Sequence, residues 1–417
     1  MALATIVILE TSALVVQMEV ITRIRSWLFN HALPVWTEKC MDSRFGGPVE
    51  SFSLDGDRPF TDAYKRTFVV ARQLYVMSHA SLLGEKKAGP LADALFEYLR
   101  KVCWRGPESG WLHKVTLEGD ILDPTADLYD FAFCVFALSW YYRLTENSDA
   151  LTLAHQTLDI VERDFAHPSG NGYYNQLPAN LPRQQNPHMH LMEGLLAFWE
   201  VTNDSRAKDM SNRLAALFQR QLFDEAAGAM PEFFDDFLNP IADSTRNHIE
   251  AGHQFEWAWI LASHQQLSGQ DHTDIVRTLV LNAERFGLHE TRGWTMNSNK
   301  LDTSSQDRGS RTWPNSERIK GWIALHELTG VSPWHAIEQS CETLFGVHLG
   351  SSAPRGMWLD TVDEDGKPTC IKIPTSTLYH VFLAFTEVLR IAEGSAPFRQ
   401  IKMQISTATA NNRGTRS

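Results

Sequence analysis

Cysteine is scarce: five residues in 417, at positions 40, 103, 134, 341 and 370, with no Cys-x-x-Cys pair. An odd, scattered set excludes a disulfide framework and offers no zinc-ligand spacing; it fits a reducing, cytoplasmic setting. Positive charge is also thin. The formal net charge is −12 with no basic run, so no nucleic-acid partner is expected. No apolar run reaches the length of a membrane span, and no membrane association is expected. The opening MALATIVILETSALVVQMEV is apolar, yet it lacks a basic start, carries Glu10, and has no lysine or arginine before Arg23. Residues 1–20 read as a leader running into a first helix rather than as an export signal. The tail 396–417, ending TATANNRGTRS, is expected to be disordered. Residues 21–395 remain for one catalytic domain.

That domain is rich in core material, with 43% apolar residues and thirteen tryptophans. It is also periodic. Glycines 46, 110, 172, 228, 293 and 356 open or precede turn-rich stretches at intervals of 56 to 65 residues. After each comes a long apolar segment, near 62–80, 124–144, 187–203, 249–265, 313–328 and 374–391; four have proline at or near the start (Pro124, Pro187, Pro314, Pro374). Between them lie segments such as SDALTLAHQTLDIVERDF, apolar on one helical face only. A helix apolar all round needs cover on every side, and six such helices alternating with six half-exposed ones predict an all-α (α/α)6 barrel. Short β-hairpins are expected in the loops, gathered at one rim.

Polar residues at the starts of the inner helices would then converge on one cavity. They are Arg66 and Arg72; Asn186, His188, His190 and Glu193; His248, His253 and Glu256; Arg311, Trp313, Glu317 and Lys320; and Ser376, Tyr379 and His380. His188 and His190 stand two apart, so at most one faces the cavity. The duller reading of a lone histidine on an apolar helix is a core residue bonded to a carbonyl; Tyr75 and Tyr379 read as packing. Arg72 follows FVVA, where an unpaired guanidinium is expensive. Glu193 or Glu256 is expected to neutralise it, or a polar ligand to use it. Two His-x-x-Glu pairs, His190/Glu193 and His253/Glu256, have metal-ligand spacing, but carboxylates are too few for a di-metal bundle and no metal is expected.

The stretches RTFVVARQLYV, NPHMHLMEGLLAFWE, GHQFEWAWIL, RTWPNSERIKG and WLDTVDEDGKP…PTSTLYHVF resemble the N-acylglucosamine 2-epimerase superfamily, and PTSTLYH is similar to its D-mannose and sulfoquinovose isomerase branch. The resemblance implies an (α/α)6 barrel and a metal-independent, cofactor-free sugar isomerase. It implies His253 and His380 as the catalytic pair, with Arg72, Asn186, His190, Glu256, Trp313 and Glu317 binding a monosaccharide. On this reading His380 shuttles the carbon proton through a cis-enediol, while His253, oriented by Glu256, opens the ring. The expected reaction interconverts D-mannose and D-fructose, with D-lyxose and D-xylulose as further candidates. A sulfonated or phosphorylated sugar would need extra cations, for which Arg66 and Arg311 are the candidates. The alternatives are a 2-epimerase on the same site, an inverting glycosidase using Glu193, Glu256 or Glu317, and a binding protein. The expected assembly is a monomer or homodimer.

Overall fold

The computed structural model describes residues 15–395. The expected tail and all but the end of the expected leader lie outside them. Twelve helices alternate between two environments. The outer ones are α1 (15–39), α3 (Ala88–Tyr98), α5 (Ser148–Ile160), α7 (Ser205–Leu217), α9 (Thr273–Gly287) and α11 (Trp334–Thr343). The inner ones are α2 (Thr67–Leu82), α4 (Leu128–Thr145), α6 (Asn186–Thr202), α8 (Ala251–Ser268), α10 (Thr312–Thr329) and α12 (Leu378–Ala392). Inner helices are buried around nearly their whole circumference: in α2 and α4 every residue of the runs Val69–Ala80 and Phe131–Tyr141 is buried. Outer helices bury one face, in α7 through Ala207, Met210, Leu214 and Leu217.

The ring closes on itself. Each inner helix packs on the next, and α12 returns to α2. Short inner-to-outer turns occupy one rim, where α4, α6, α8 and α10 stop at left-handed Glu146, Asn203, Gly269 and Gly330. Asn147 and Asp204 then cap α5 and α7 by accepting backbone N–H bonds. The long outer-to-inner loops occupy the other rim and are laced edge to edge. Tyr64–Arg66 pairs with Lys114–Thr116, Ala126–Asp127 with Gln176–Leu177, and Arg183–Gln184 with Phe233–Phe234. Ile249 bridges Asn299, Ser305–Arg311 pairs with Thr361–Val362, and Ser51–Phe52 pairs with Ile373–Pro374 to complete the circuit. The first helix is sealed against the last elements: Trp36 stacks on Trp358 at 5.1 Å and donates to the Gly356 carbonyl at 2.9 Å.

The periodic glycines each adopt positive φ, between +60° and +73°, at equivalent turns. Gly172 shows why. It sits at φ +66°, and a Cβ there would stand 2.6 Å from Nε2 of His188, the atom that accepts the Tyr173 N–H at 3.0 Å. His188 is thus a loop brace. Its other nitrogen meets the Gln184 carbonyl at 2.9 Å, and burial drives its pKa down to about 3. The five cysteines are free. Among the described residues, no helix is long and apolar enough to cross a membrane.

Candidate active site

Because all six inner helices start at the laced rim, their first turns meet over one cavity floor. Phe68, Tyr129, Asn186, Trp313 and Ser376, each at or just before the first turn of its helix, stay partly exposed while the turns behind them are buried. Trp313 is central. Its ring lies 4.9 Å from that of His253 and 5.4 Å from that of His380, so histidines from α8 and α12 flank one indole. The indole fits because residue 252 is glycine: a Cβ there would lie 2.6 Å from the ring.

The two imidazoles are nearly buried, at 7% and 6% exposure, and are biased in opposite directions. His253 Nδ1 lies 2.8 Å from Glu232 Oε1 and 3.7 Å from Glu250 Oε2. Burial alone would strip its proton, but Glu232, helped by Glu250 and Glu256, raises it to about 9. Glu232 is itself held: its other oxygen accepts from Gln185 Nε2 at 2.9 Å, and Gln185 Oε1 accepts from Trp257 Nε1 at 2.7 Å. His380 Nδ1 lies 2.7 Å from Glu317 Oε1. Burial, then the positive field of Arg72, Lys320, His190 and His253, holds His380 well below the ordinary imidazole range.

Below the histidines lies a sealed charge cluster. Lys320 Nζ, with 0% exposure, stands 2.7 Å from Glu317 Oε2 and 3.7 Å from Glu256 Oε1. His190 Nδ1 lies 3.0 Å from Glu193 Oε2, whose partner oxygen accepts the Tyr379 hydroxyl proton. Glu193, Glu256, Glu317, His190 and His380 bring possible ligand atoms within 4.8 Å in two groups. Lys320 already supplies a cation to the second group, the role a metal would take there. Arg72 donates from Nη2 to the Tyr129 hydroxyl at 2.6 Å and from Nη1 to the Ser376 carbonyl at 3.2 Å, and lies over Phe133 at 4.2 Å. Its Nε–H has no partner.

Several expectations are corrected by these contacts. Glu256 does not orient His253; Glu232 does, from the preceding loop. Neither Glu193 nor Glu256 pairs with Arg72, which relies on a hydroxyl, a carbonyl and aromatic faces. Glu256 and Glu317 were expected to touch sugar, but both are fully buried and face Lys320, with Glu317 also holding His380. Tyr379, read as packing, also bonds Glu193. Arg72, Asn186, His190 and Trp313 do gather around the histidines' end of the barrel. Glu232 and Gln185 were not singled out. The only sequence signal was an acid inside the apolar loop GAMPEFF, with nothing to name its partner.

Residues 47–384 match the family described as N-acylglucosamine 2-epimerase (GlcNAc 2-epimerase). The chain is 28% identical over 370 residues to a protein named mannose-6-phosphate isomerase from Rhizobium meliloti (strain 1021), spanning 87% of this chain and 95% of that one. The structure of cellobiose 2-epimerase from Bacillus thermoamylovorans B4167 superposes with a TM-score of 0.81 at 24% identity, covering 89% of this chain and 99% of that one. A D-mannose isomerase structure also gives 0.81, at 19% identity, covering 89% and 98%. A match over most of the barrel, with the closed ring of loops and helices, makes this chain a member of the N-acylglucosamine 2-epimerase family of sugar isomerases and epimerases.

Proposed function

We propose that the protein is an aldose–ketose isomerase interconverting D-mannose and D-fructose, with D-lyxose and D-xylulose as further substrates. The observation that carries this is the opposed bias of two histidines across one indole: one holds a proton past neutrality, the other stays neutral. His253, as imidazolium, protonates the ring oxygen as the C1–O5 bond breaks and takes up the proton that the anomeric O1 hydroxyl releases, so the open aldehyde forms and His253 is an imidazolium again. His380, with its Nδ1–H directed at Glu317, presents the lone pair of Nε2 as the base. It takes the proton from C2; the C–H electron pair becomes the C1=C2 bond and negative charge moves to O1. The Arg72 guanidinium stabilises that charge through its positive field, and His253 supplies a proton to O1. His253 then takes the O2 proton while His380 returns its proton to C1, leaving the ketose and both histidines as they began. Trp313 offers the apolar face on which a sugar ring lies.

The site supports a neutral sugar better than a charged one. Arg66 is bonded to Glu50 through both side chain and backbone N–H, and Arg311 meets Glu250 at 2.8 Å, so both candidate cations are already neutralised. The glycosidase reading loses ground for a similar reason: Glu193, Glu256 and Glu317 are sealed beneath the histidines, with no path to a glycosidic oxygen. Return of the proton to C2 from the opposite face would give a 2-epimerase, the activity named for the cellobiose relatives. The test is incubation with D-mannose, D-fructose, D-glucose and D-mannose 6-phosphate, with product identification. We expect fructose from mannose, at least about 100-fold less from a His380→Ala protein, and poor turnover of the phosphate. Glucose as the sole product from mannose would replace this reading with the epimerase.

A further inference from the structure

Lys320 is a buried ammonium that the steps above do not use. It has no exposed surface, so it touches no sugar. An isolated ammonium in such a place costs several kcal/mol, and its surroundings are specific: Glu317 at 2.7 Å, Glu256 at 3.7 Å, and the Trp259 ring at 4.5 Å. Glu317 is shared. One oxygen faces Lys320 and the other faces His380 Nδ1, also at 2.7 Å. We propose that Lys320 is a positioning residue: its ammonium, sealed between Glu317 and Glu256, fixes Glu317 as the hydrogen-bond acceptor of His380 and so sets which imidazole nitrogen meets the sugar.

The charge balance explains the need. Burial, with Glu256 and Glu193 alongside, favours a proton on the Glu317 carboxyl even with Lys320 present, and the ammonium 2.7 Å from Oε2 is what opposes it. Without the ammonium that opposition is gone, and Glu317 holds a proton more firmly. It then no longer requires the proton of His380 on Nδ1, and the base loses its fixed tautomer. The groups facing His380 come from several elements: Arg72 from α2, His190 from α6, His253 from α8 and Lys320 from α10 act on its charge, Glu317 of α10 bonds its Nδ1, and the Tyr379 ring of α12 lies 4.7 Å away. Removing one cation from this set raises His380.

The inference rests on the isomerase reading for its kinetic consequence but not for its spectroscopic one. In the 15N-histidine-labelled free protein, with His380 assigned by comparison with His380→Asn, we expect the Nδ1–H tautomer, neutral across pH 6–9. Lys320→Met is expected to mix the tautomers and raise the His380 pKa. Its kcat on D-mannose should fall on the order of 100-fold, with KM changed less than about threefold. Lys320→Gln, which keeps a donor but no charge, should behave like Lys320→Met and carries the test if the methionine variant fails to fold. An Nε2–H tautomer in the unaltered protein would overturn the proposal. So would an unchanged tautomer and near-normal kcat in either variant. If the unaltered protein isomerises none of the sugars tested, the functional reading fails while the tautomer result still decides this one.

Discussion

Two imidazoles facing one indole differ in what lies behind them, and in the proposed mechanism that difference gives each its task. Glu232 bonds His253 on Nδ1 and raises it to about 9, so it stays an acid through neutral pH. Burial, and then the neighbouring cations, keep His380 free of its second proton. The signs fix the pH profile of kcat/KM. On the proposed roles, activity is expected to be lost on the alkaline side as His253 deprotonates near pH 9, and on the acid side only below the ordinary histidine range of about 6.5. Replacing Glu232 by glutamine removes the largest raising influence on His253, while Glu250 and Glu256 remain. The alkaline limb should therefore move to lower pH by about one unit, with the acid limb unmoved. A pH–rate profile in which the acid limb moves instead would show the two roles to be exchanged.

Among the elements, the loops carry both the period and the surprises. The glycine period was legible because each loop needs a left-handed residue at the same turn, and only glycine takes that conformation without strain. Gly172→Ala tests the point. It would strain φ +66° and press on His188, and should destabilise the fold by about 1–3 kcal/mol, read as a lower midpoint in thermal or denaturant melts. Asp204→Ala, which removes the α7 cap, should cost about 1 kcal/mol by the same measurement. The inner-helix histidines were legible too, since polar rings stand out on apolar helices. Their partners were not. The spacing of His253 and Glu256 places them near each other on α8, but contacts between elements decide which carboxylate is used: Glu256 faces Lys320 of α10 while a loop carboxylate 21 residues upstream takes the histidine. Helix periodicity says which face a residue occupies and is silent about what the neighbouring helix or loop puts there.

At the scale of the molecule, the barrel works by joining distant parts of the chain. Glu50 pairs with Arg66 near the start and its carbonyl accepts the Thr375 N–H near the end, and the Ser51–Phe52 pairing with Ile373–Pro374 makes the ring continuous. Only in the closed ring do α8 and α12 place their histidines on the α10 indole. The most direct test of that convergence is to turn over D-mannose in D2O and locate the deuterium by NMR. Proton transfer by the His253–His380 pair, with the proton on His380 exchanging with solvent before it is returned, predicts D-fructose carrying solvent deuterium at C1, abolished in His380→Ala. Glucose deuterated at C2 without fructose, or fructose formed with no solvent label and undiminished by loss of His380, would contradict the account.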